Sequence, residues 1–352
     1  MLVFLKQVFM TVIYESSLAS QFIEIAVKLL NETRKNSIAD TNRCEWLYLK
    51  NPDGEAAIWA ALAGDEHIGF SALIPRRFWV RGELKSACTT ADLSVLSSHR
   101  RQGVASHLRL KAKTLVEEKA FDFLYGHPNE KSKGAHQKAG FYQVATMDRR
   151  VKVLDTSPQW SKLVGNSPLN KIFSKVSNKV LPFVFEKPKK HFETEWLSWL
   201  KVDERFDQLD EKNKNQRIIQ GVRDSRYLKW RYGLNPIDTF RIVVAKKGND
   251  IKGFCVVRPI QDSLEIVDLF PPNDQDTAET LLAAVIQDAK LDDTKTLTAT
   301  WLAHHPAEYL LGKFGFLSRG AISVMHAFDA PLKSTISSKA SEWLITAGDR
   351  DV

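Results

Sequence analysis

The run Arg100-Arg101-Gln102-Gly103-Val104-Ala105-Ser106 has the composition of a cradle for paired phosphates. Gly103 and Ala105 carry nothing larger than a methyl group, so an anion can reach the main chain, and Arg100 and Arg101 add charge for it. Such a cradle works only if the neighbouring elements present it. Leu93, Val95 and Leu96 give a half-buried strand signal that Ser97 and Ser98 break, and from Val104 the apolar residues fall at helical spacing (Val104, Leu108, Leu115). A strand therefore hands over to a helix at Arg100 to Gly103. The first turn of that helix has N–H groups without intrahelical acceptors and the positive end of the helix dipole, which together attract phosphate oxygens.

A second pattern stands where the next strand ends. Asn129-x-x-Ser132-x-x-x-His136-x-x-x-Gly140-Phe141 follows the apolar stretch Phe121 to Tyr125. Arg100-x-x-Gly103-x-Ala105 resembles the acyl-CoA pyrophosphate signature (Gln/Arg-x-x-Gly-x-Gly/Ala) of the GNAT N-acetyltransferase superfamily. The second pattern resembles that family's later motif, Asn-x-x-Ala-x-x-x-Tyr-x-x-x-Gly-Phe, with the spacing kept. The resemblance covers residues 10 to 155 directly.

It implies acetyl or short acyl transfer from acetyl-CoA to an amine, with no metal needed. Such chemistry wants a neutral amine, a polarised carbonyl and a proton returned to the thiolate. By resemblance, the phosphates fall to Arg100 through Ser106, and main-chain amides around Leu93, Ser94 and Val95 hold the pantetheine arm. Asn129 helps hold that arm or orients a water, besides being a good helix N-cap. His136 occupies the position of the tyrosine that commonly protonates the sulfur, and an imidazole can do acid–base work near neutral pH. Tyr142 is the alternative acid. Asp92 is the carboxylate candidate for the base, and His127 is a further candidate. Each also has a structural reading, in which Asp92 has a shared structural role, His136 caps or packs, and Tyr142 is a packed strand aromatic.

At 352 residues the chain suggests two domains. Its net charge of +8 favours anionic partners, among which CoA phosphates, an anionic membrane and RNA all qualify; the resemblance makes nucleic acid an unlikely partner. Cys44, Cys88 and Cys255 have neither metal-ligand nor Cys-x-x-Cys spacing, which fits a reducing, cytoplasmic setting. Met1 to Tyr14 is apolar but interrupted by Lys6 and Gln7, and reads as a strand or an extension upstream of Met10 rather than a signal peptide. No run reaches transmembrane length, and a soluble protein is expected.

The order along the chain is a strand at Thr11 to Tyr14, a helix over Leu18 to Asn31, and strands at Ala56 to Ala63, His67 to Pro75 and Arg77 to Val80. The turn and helix described above follow. Tyr142 to Leu154 then reads as one more strand or a bent pair. Residues 156–190 carry four prolines and many lysines, and Leu169, Ile172, Phe173, Val176 and Val180 are spaced for one helix face. This linker helix is expected to pack between domains, a basic amphipathic membrane surface being the alternative.

The second half then repeats the first. Trp230-x-x-x-x-Asn235-Pro236 stands 184 residues after Trp46-x-x-x-x-Asn51-Pro52, and Gly253-Phe254 stands the same 184 after Gly69-Phe70. Asp268-Leu269 follows Asp92-Leu93 by 176 and Gly315-Phe316 follows Gly140-Phe141 by 175, so a deletion in the hairpin between the third and fourth strands accounts for most of the change. The tryptophan reads as a structural corner, or alternatively as an acceptor-side aromatic in the first half. After Asp268-Leu269 come carboxylates instead of arginines, and His304 and Leu311 stand at the places of Asn129 and His136. The second half should build structure or one wall of the acceptor cleft.

The expected fold is α/β (α+β) with two GNAT-like domains, each a mixed, largely antiparallel twisted sheet flanked by helices. The expected division is 1–155 with the acyl-CoA site, 156–190 as linker, and 191–352 as a degenerate second domain with its tail. The expected partners are a CoA thioester and a small-molecule amine, with the oligomeric state open. The C-terminal Trp343 to Asp351 stretch and the Trp-Asn-Pro element look like acetyltransferases of bacterial surface-polysaccharide genes, which suggests an amino sugar acceptor. Two alternatives stand beside this reading. One is a Fem-type aminoacyl-tRNA-dependent transferase, which would not need the phosphate cradle; the other is an acyl-CoA-binding module without turnover.

Overall fold

The computed structural model describes residues 11–34, 39–165, 167–292, 294–329 and 336–350. The proposed upstream extension before Met10 lies outside them. The first apolar run forms β1 (Val12–Leu18), and the amphipathic stretch after it forms α1 (Ala19–Thr33), which buries Phe22, Ile23, Ala26, Leu29 and Leu30. Next come α2 (Thr41–Tyr48), capped by Asp40, then β2 (Ala57–Ala63), β3 (Glu66–Val80) and β4 (Glu83–Val95). The half is completed by α3 (Val104–Glu117), β5 (Phe123–Gly126), α4 (Glu130–Lys138) and β6 (Tyr142–Val153). Helices α1 and α2 cover one face of the sheet, against Ala60, Phe70, Ala72 and Ala91, and α3 and α4 cover the other, against Leu73, Cys88 and Leu124.

The strand through Pro75 is continuous, where the sequence reads as two. Pro75 lies just past the last β2–β3 pair, Ala57 with Leu73, and its carbonyl accepts from Asn51 Nδ2 at 2.7 Å. Because a strand residue's N and O face the same side, the missing N–H of the proline also faces that vacated edge and costs no ladder bond. Tyr142 to Val153 is one strand, not a bent pair.

Two helices join the halves, α5 (Ser157–Val164) and α6 (Pro168–Val184). The expectation that the second of them packs between domains is not met, since its apolar face is exposed. The second half contains β7 (Glu193–Leu197), α7 (Glu204–Lys212), β8 (Ile219–Gly221), α8 (Ser225–Leu228), β9 (Arg241–Lys247), β10 (Asp250–Ile260) and β11 (Ser263–Phe270). It continues with α9 (Gln275–Leu291), β12 (Thr296–Leu302), α10 (Glu308–Lys313), β13 (Leu317–Asp329) and the short β14 (Trp343–Leu344).

All of these strands join one mixed sheet in the order β1-β2-β3-β4-β5-β13-β6-β12-β11-β10-β9-β7, with β8 on β3 and β14 on β8. The halves exchange strands at its centre. β13 pairs with β5 and β6, and β6 pairs with β12, so each half's sheet is closed by a strand of the other. The first hairpin is longer than its counterpart, 15 and 13 residues against 11 and 8, and its extra length supports β8 along Phe78 to Val80.

The repeated tryptophans meet each other. Trp46 Nε1 donates to the Trp230 carbonyl at 2.9 Å, Trp230 Nε1 donates to the Trp46 carbonyl at 2.9 Å, and the rings stack with centroids 5.1 Å apart. Reciprocal bonds of equal length place a local two-fold axis between the rings. Trp46 is 3% exposed, so the reading of it as an acceptor-side aromatic is replaced by a role in joining the halves. Trp230→Phe keeps the ring and removes one buried donor, leaving the Trp46 carbonyl unpaired. Urea unfolding should show a loss of about 1–2 kcal/mol, and Trp46→Phe should show a similar one.

Candidate active site

Strand β4 pairs with β5 over only three residues, Ala87 with Phe123, Cys88 with Leu124 and Thr89 with Tyr125. Beyond Thr89 the two strands part. On β4 the separation is helped by a bulge, where the register to β3 slips between Phe70 and Ala72 and Asp92 takes φ 43°. The Leu96 amide donates to Ile68 on β3 at 2.8 Å, so by the alternation of a strand the amides of Leu93 and Val95 face the gap. Ser94 does not offer its side chain there, because its hydroxyl meets Thr33 Oγ1 at 3.0 Å on the α1 side.

The β4–α3 turn borders the same gap. Gly103 stands at the N-cap of α3 with φ 86°, no side chain caps the helix, and its first turn contains no acidic residue. The amides opening the helix at Val104, Ala105 and Ser106 therefore lack an internal acceptor. Arg100, Arg101 and Gln102 are exposed around them; Arg100 Nε is held on the Val95 carbonyl at 3.0 Å and Gln102 on the Ser98 carbonyl at 3.0 Å. An anion approaching α3 thus meets bare amides with arginines beside them. The second half closes the equivalent corner from within. Asp274 caps α9 through Thr277 N, and Asp276 adds a second negative charge.

Gly126, the last residue of β5, sits where the strands part. A Cβ there would lie 2.0 Å from Thr90 Oγ1 and 3.2 Å from His136 Cε1, so the close approach of these groups requires glycine. His136 is 1% exposed and packs its ring on Phe141 and on His326 of β13, with centroids 4.8 and 5.5 Å away. Burial, with the Arg109 charge beside it, pushes its pKa down to about 2. His127 lies under the ring of Tyr125 toward the C-terminal segment, and burial together with Arg350 pushes it down to about 3. Both ring nitrogens of His127 and of His326, Nδ1 of His136, and Thr90 Oγ1 are buried without a hydrogen-bond partner. Unpaired buried polar atoms are costly, and this many around one gap mark a place built for something polar.

The other candidates are placed differently. Asp92 is 3% exposed; Arg43 grips its carboxylate at 2.8 and 3.0 Å, Tyr48 donates to it at 2.6 Å, and Arg34 bonds it as well. Burial raises its pKa, but the two arginines outweigh this and hold it at about 2. An anion so engaged does not take a proton from an amine, and the reading of Asp92 as a base gives way to its structural one. Asp268 is bound in the same manner by Arg223 and, at 3.2 Å, by Tyr232. Tyr142 sits at the start of β6, where burial and then the Asp329 carboxylate raise its pKa, which makes it a poorer acid. Asn129 caps α4, its Oδ1 accepting from Lys131 N at 3.0 Å and Ser132 N at 3.1 Å. Among the described residues no group of side chains is arranged to hold a metal ion.

On the opposite face of the sheet, beside the last β4–β5 pair, lies a small, partly open pocket with a cavity of about 20 Å³. Arg76, Tyr125, Tyr227, Arg231, Arg350 and the carboxylate of Asp349 are among the groups that line it, so the C-terminal segment and the second half form much of its wall. Arg76 is 4% exposed, donates to Asp349 at 3.3 Å and keeps Nε unpaired; Nε of Arg350 and Oγ1 of Thr89 are likewise buried without partners.

The profile of the acetyltransferase (GNAT) family matches residues 22–141. Among solved structures, a GCN5-related N-acetyltransferase from Anabaena variabilis superposes with a TM-score of 0.67 at 13% identity, over 93% of this chain and 75% of that one. A conserved protein of unknown function and probable N-acyltransferase from Enterococcus faecalis gives 0.65 at 12% identity, over 92% and 74%. A GCN5-related N-acetyltransferase from Kribbella flavida gives 0.63 at 14%, over 94% and 74%. No curated protein matches the sequence. Residues 22–141 thus match the acetyltransferase (GNAT) family, and the chain as a whole has the fold of the GCN5-related N-acetyltransferases.

Proposed function

We propose that the chain moves an acetyl or other short acyl group from CoA to the amine of a small acceptor at the gap between β4 and β5, working in the cytoplasm. The observation that carries this reading is the uncapped start of α3 beside that gap. The equivalent corner of the second half is self-capped, which favours one cofactor site and a duplicated chain whose second copy serves as scaffold and wall. A Fem-type enzyme would have no use for a phosphate cradle.

In the proposed reaction the amine nitrogen forms a bond to the thioester carbonyl carbon, the C–S bond breaks, one amine proton leaves, and the sulfur takes a proton. The amides of Leu93 and Val95 polarise the carbonyl oxygen. His127, kept neutral by burial beside Arg350, orients the amine by accepting a hydrogen bond on an unpartnered ring nitrogen, and the amine's proton passes to water. Neutral His136 donates an N–H hydrogen bond to the departing sulfur, and water supplies the proton that completes the thiol. The pocket favours an acceptor with an anionic group near its amine, whether an amino sugar of surface polysaccharide or an amino acid, because Arg76, Arg231 and Arg350 converge there.

Release of free thiol from acetyl-CoA, followed against neutral and acidic amino sugars and amino acids, tests the proposal. Turnover is expected with an anionic acceptor. His136→Ala should lower kcat about 10- to 100-fold with the KM for acetyl-CoA little changed. Calorimetric binding of acetyl-CoA without thiol release from any amine would identify a binding module instead.

A further inference from the structure

Helix α6 is docked the wrong way round for a surface helix of a globular protein. At 100° per residue, Leu169, Ile172, Phe173, Val176, Val180 and Val184 fall within one third of its circumference. Most of that third faces solvent, with Ile172 56%, Val176 57%, Val180 54% and Val184 62% exposed, while Phe173 packs its ring on Trp160 of α5 with centroids 4.9 Å apart. The face turned to the protein is the polar one. Ser174 is 6% exposed, the Ser177 hydroxyl meets Thr156 Oγ1 at 2.6 Å and accepts from Trp160 Nε1 at 2.9 Å, and Asn178 bonds Thr156 and Asp155. Polar bonding therefore fixes the orientation that holds the apolar stripe outward. On α5, Leu163 is 74% exposed as well.

The charge around the stripe has one sign. No acidic residue occurs between Asp155 and Glu186, whereas Lys162, Lys171, Lys175 and Lys179 all do. Lys171, Lys175 and Lys179 lie four apart, so that at about 100° per residue Lys179 stands beside the stripe and Lys175 and Lys171 fall progressively further round the helix. Among the described residues no ion pair engages any of the four.

We infer that the helical pair 157–184 docks on an anionic lipid bilayer, α6 lying in the interface with its valine and isoleucine stripe in the acyl boundary and its lysines among the headgroups. A convex single-helix ridge suits a bilayer better than a protein partner. A stable protein interface needs roughly 800 Å² from each side, and lysine is depleted at such interfaces but favoured beside anionic lipid. At 17 residues, α6 lies along the membrane; no helix among the described residues is long and apolar enough to cross one. The inference stands independently of the acyl-transfer site, which is built from other elements.

Co-sedimentation of the full chain with phosphatidylcholine vesicles, with and without phosphatidylglycerol, tests it. Binding to the anionic vesicles should be at least about tenfold stronger and should weaken with salt. Val176→Asp/Val180→Asp and Lys171→Glu/Lys175→Glu/Lys179→Glu should each abolish most of it while leaving acetyl-CoA affinity, read by calorimetry, unchanged. No binding to anionic vesicles at low salt, or equal binding by the variants, would overturn the inference. So would a dimer in light scattering that Val176→Asp/Val180→Asp converts to monomer without any vesicle binding, since the stripe would then be an interface between copies of the chain.

Discussion

Replacing Gly103 by aspartate together with Arg100 by glutamate should weaken acetyl-CoA binding roughly 100-fold or more, about 2.7 kcal/mol, with little change in thermal unfolding. The proposed site depends on the amides at the start of α3 being unsatisfied by the protein. Aspartate at the N-cap would accept from them itself, as Asp274 does for α9, and would set a negative charge where phosphate oxygens belong. The glutamate in place of Arg100 would reverse the charge beside it. The fold should tolerate both changes. A Cβ at 103 meets nothing nearer than His107 Nδ1 at 3.5 Å, and the cost of a side chain at φ 86°, about 1–2 kcal/mol, is offset by the new cap. Gly103→Ala separates the two causes, because it imposes the backbone strain without charge or cap and should cost only a few-fold in affinity. Calorimetric titration reads all three proteins, and equal affinity of the double variant and the parent would remove the phosphate corner from the site.

The strand-to-helix turn before α3 was legible in the sequence because everything it needs is local: a strand signal, a break, a glycine and a helix period within twenty residues. The recurring spacing of Trp46 and Trp230 was legible too, but its meaning was not. Spacing identified Trp46 and Trp230 as equivalent without showing that they face each other across an axis. Tyr48 and Tyr232 share the same 184-residue offset, and each holds the buried aspartate of its half. Reading Tyr48 beside Asp92 would have pointed to a structural carboxylate. His326 left no local signal, since it reaches the gap only because β13 crosses into the first half's sheet, and strand patterning does not say which sheet a strand joins. For α6 the period correctly predicted an apolar face, but a period cannot say what covers that face. The serines and asparagine on its opposite side were the available clue.

The other large effect should fall on stability. Asp92→Asn would leave the Arg43 guanidinium, 7% exposed, without its bidentate partner, and would offer an amide where Tyr48 and Arg34 now meet a carboxylate. Breaking a buried pair from one side costs about 3–5 kcal/mol. The pH dependence has a definite sign. The folded pKa of about 2 lies below the unfolded value of about 3.9, so the carboxylate's contribution is fully present above pH ~4 and fades as pH falls through about 2. Urea midpoints taken from pH 7 down to pH 2 should therefore fall for the parent protein. Asp92→Asn should start lower at pH 7 and lose less on acidification. The same variant separates the two roles of this residue. Structural loss predicts reduced stability, with activity in the folded fraction restored as temperature is lowered. A full-stability variant that binds acetyl-CoA normally yet turns over about 100-fold more slowly would return Asp92 to the chemistry as its base. The cluster of Arg43, Arg34 and Tyr48 argues for the first outcome, because a carboxylate held by two guanidinium groups gains less from an amine's proton than it would lose in pairing.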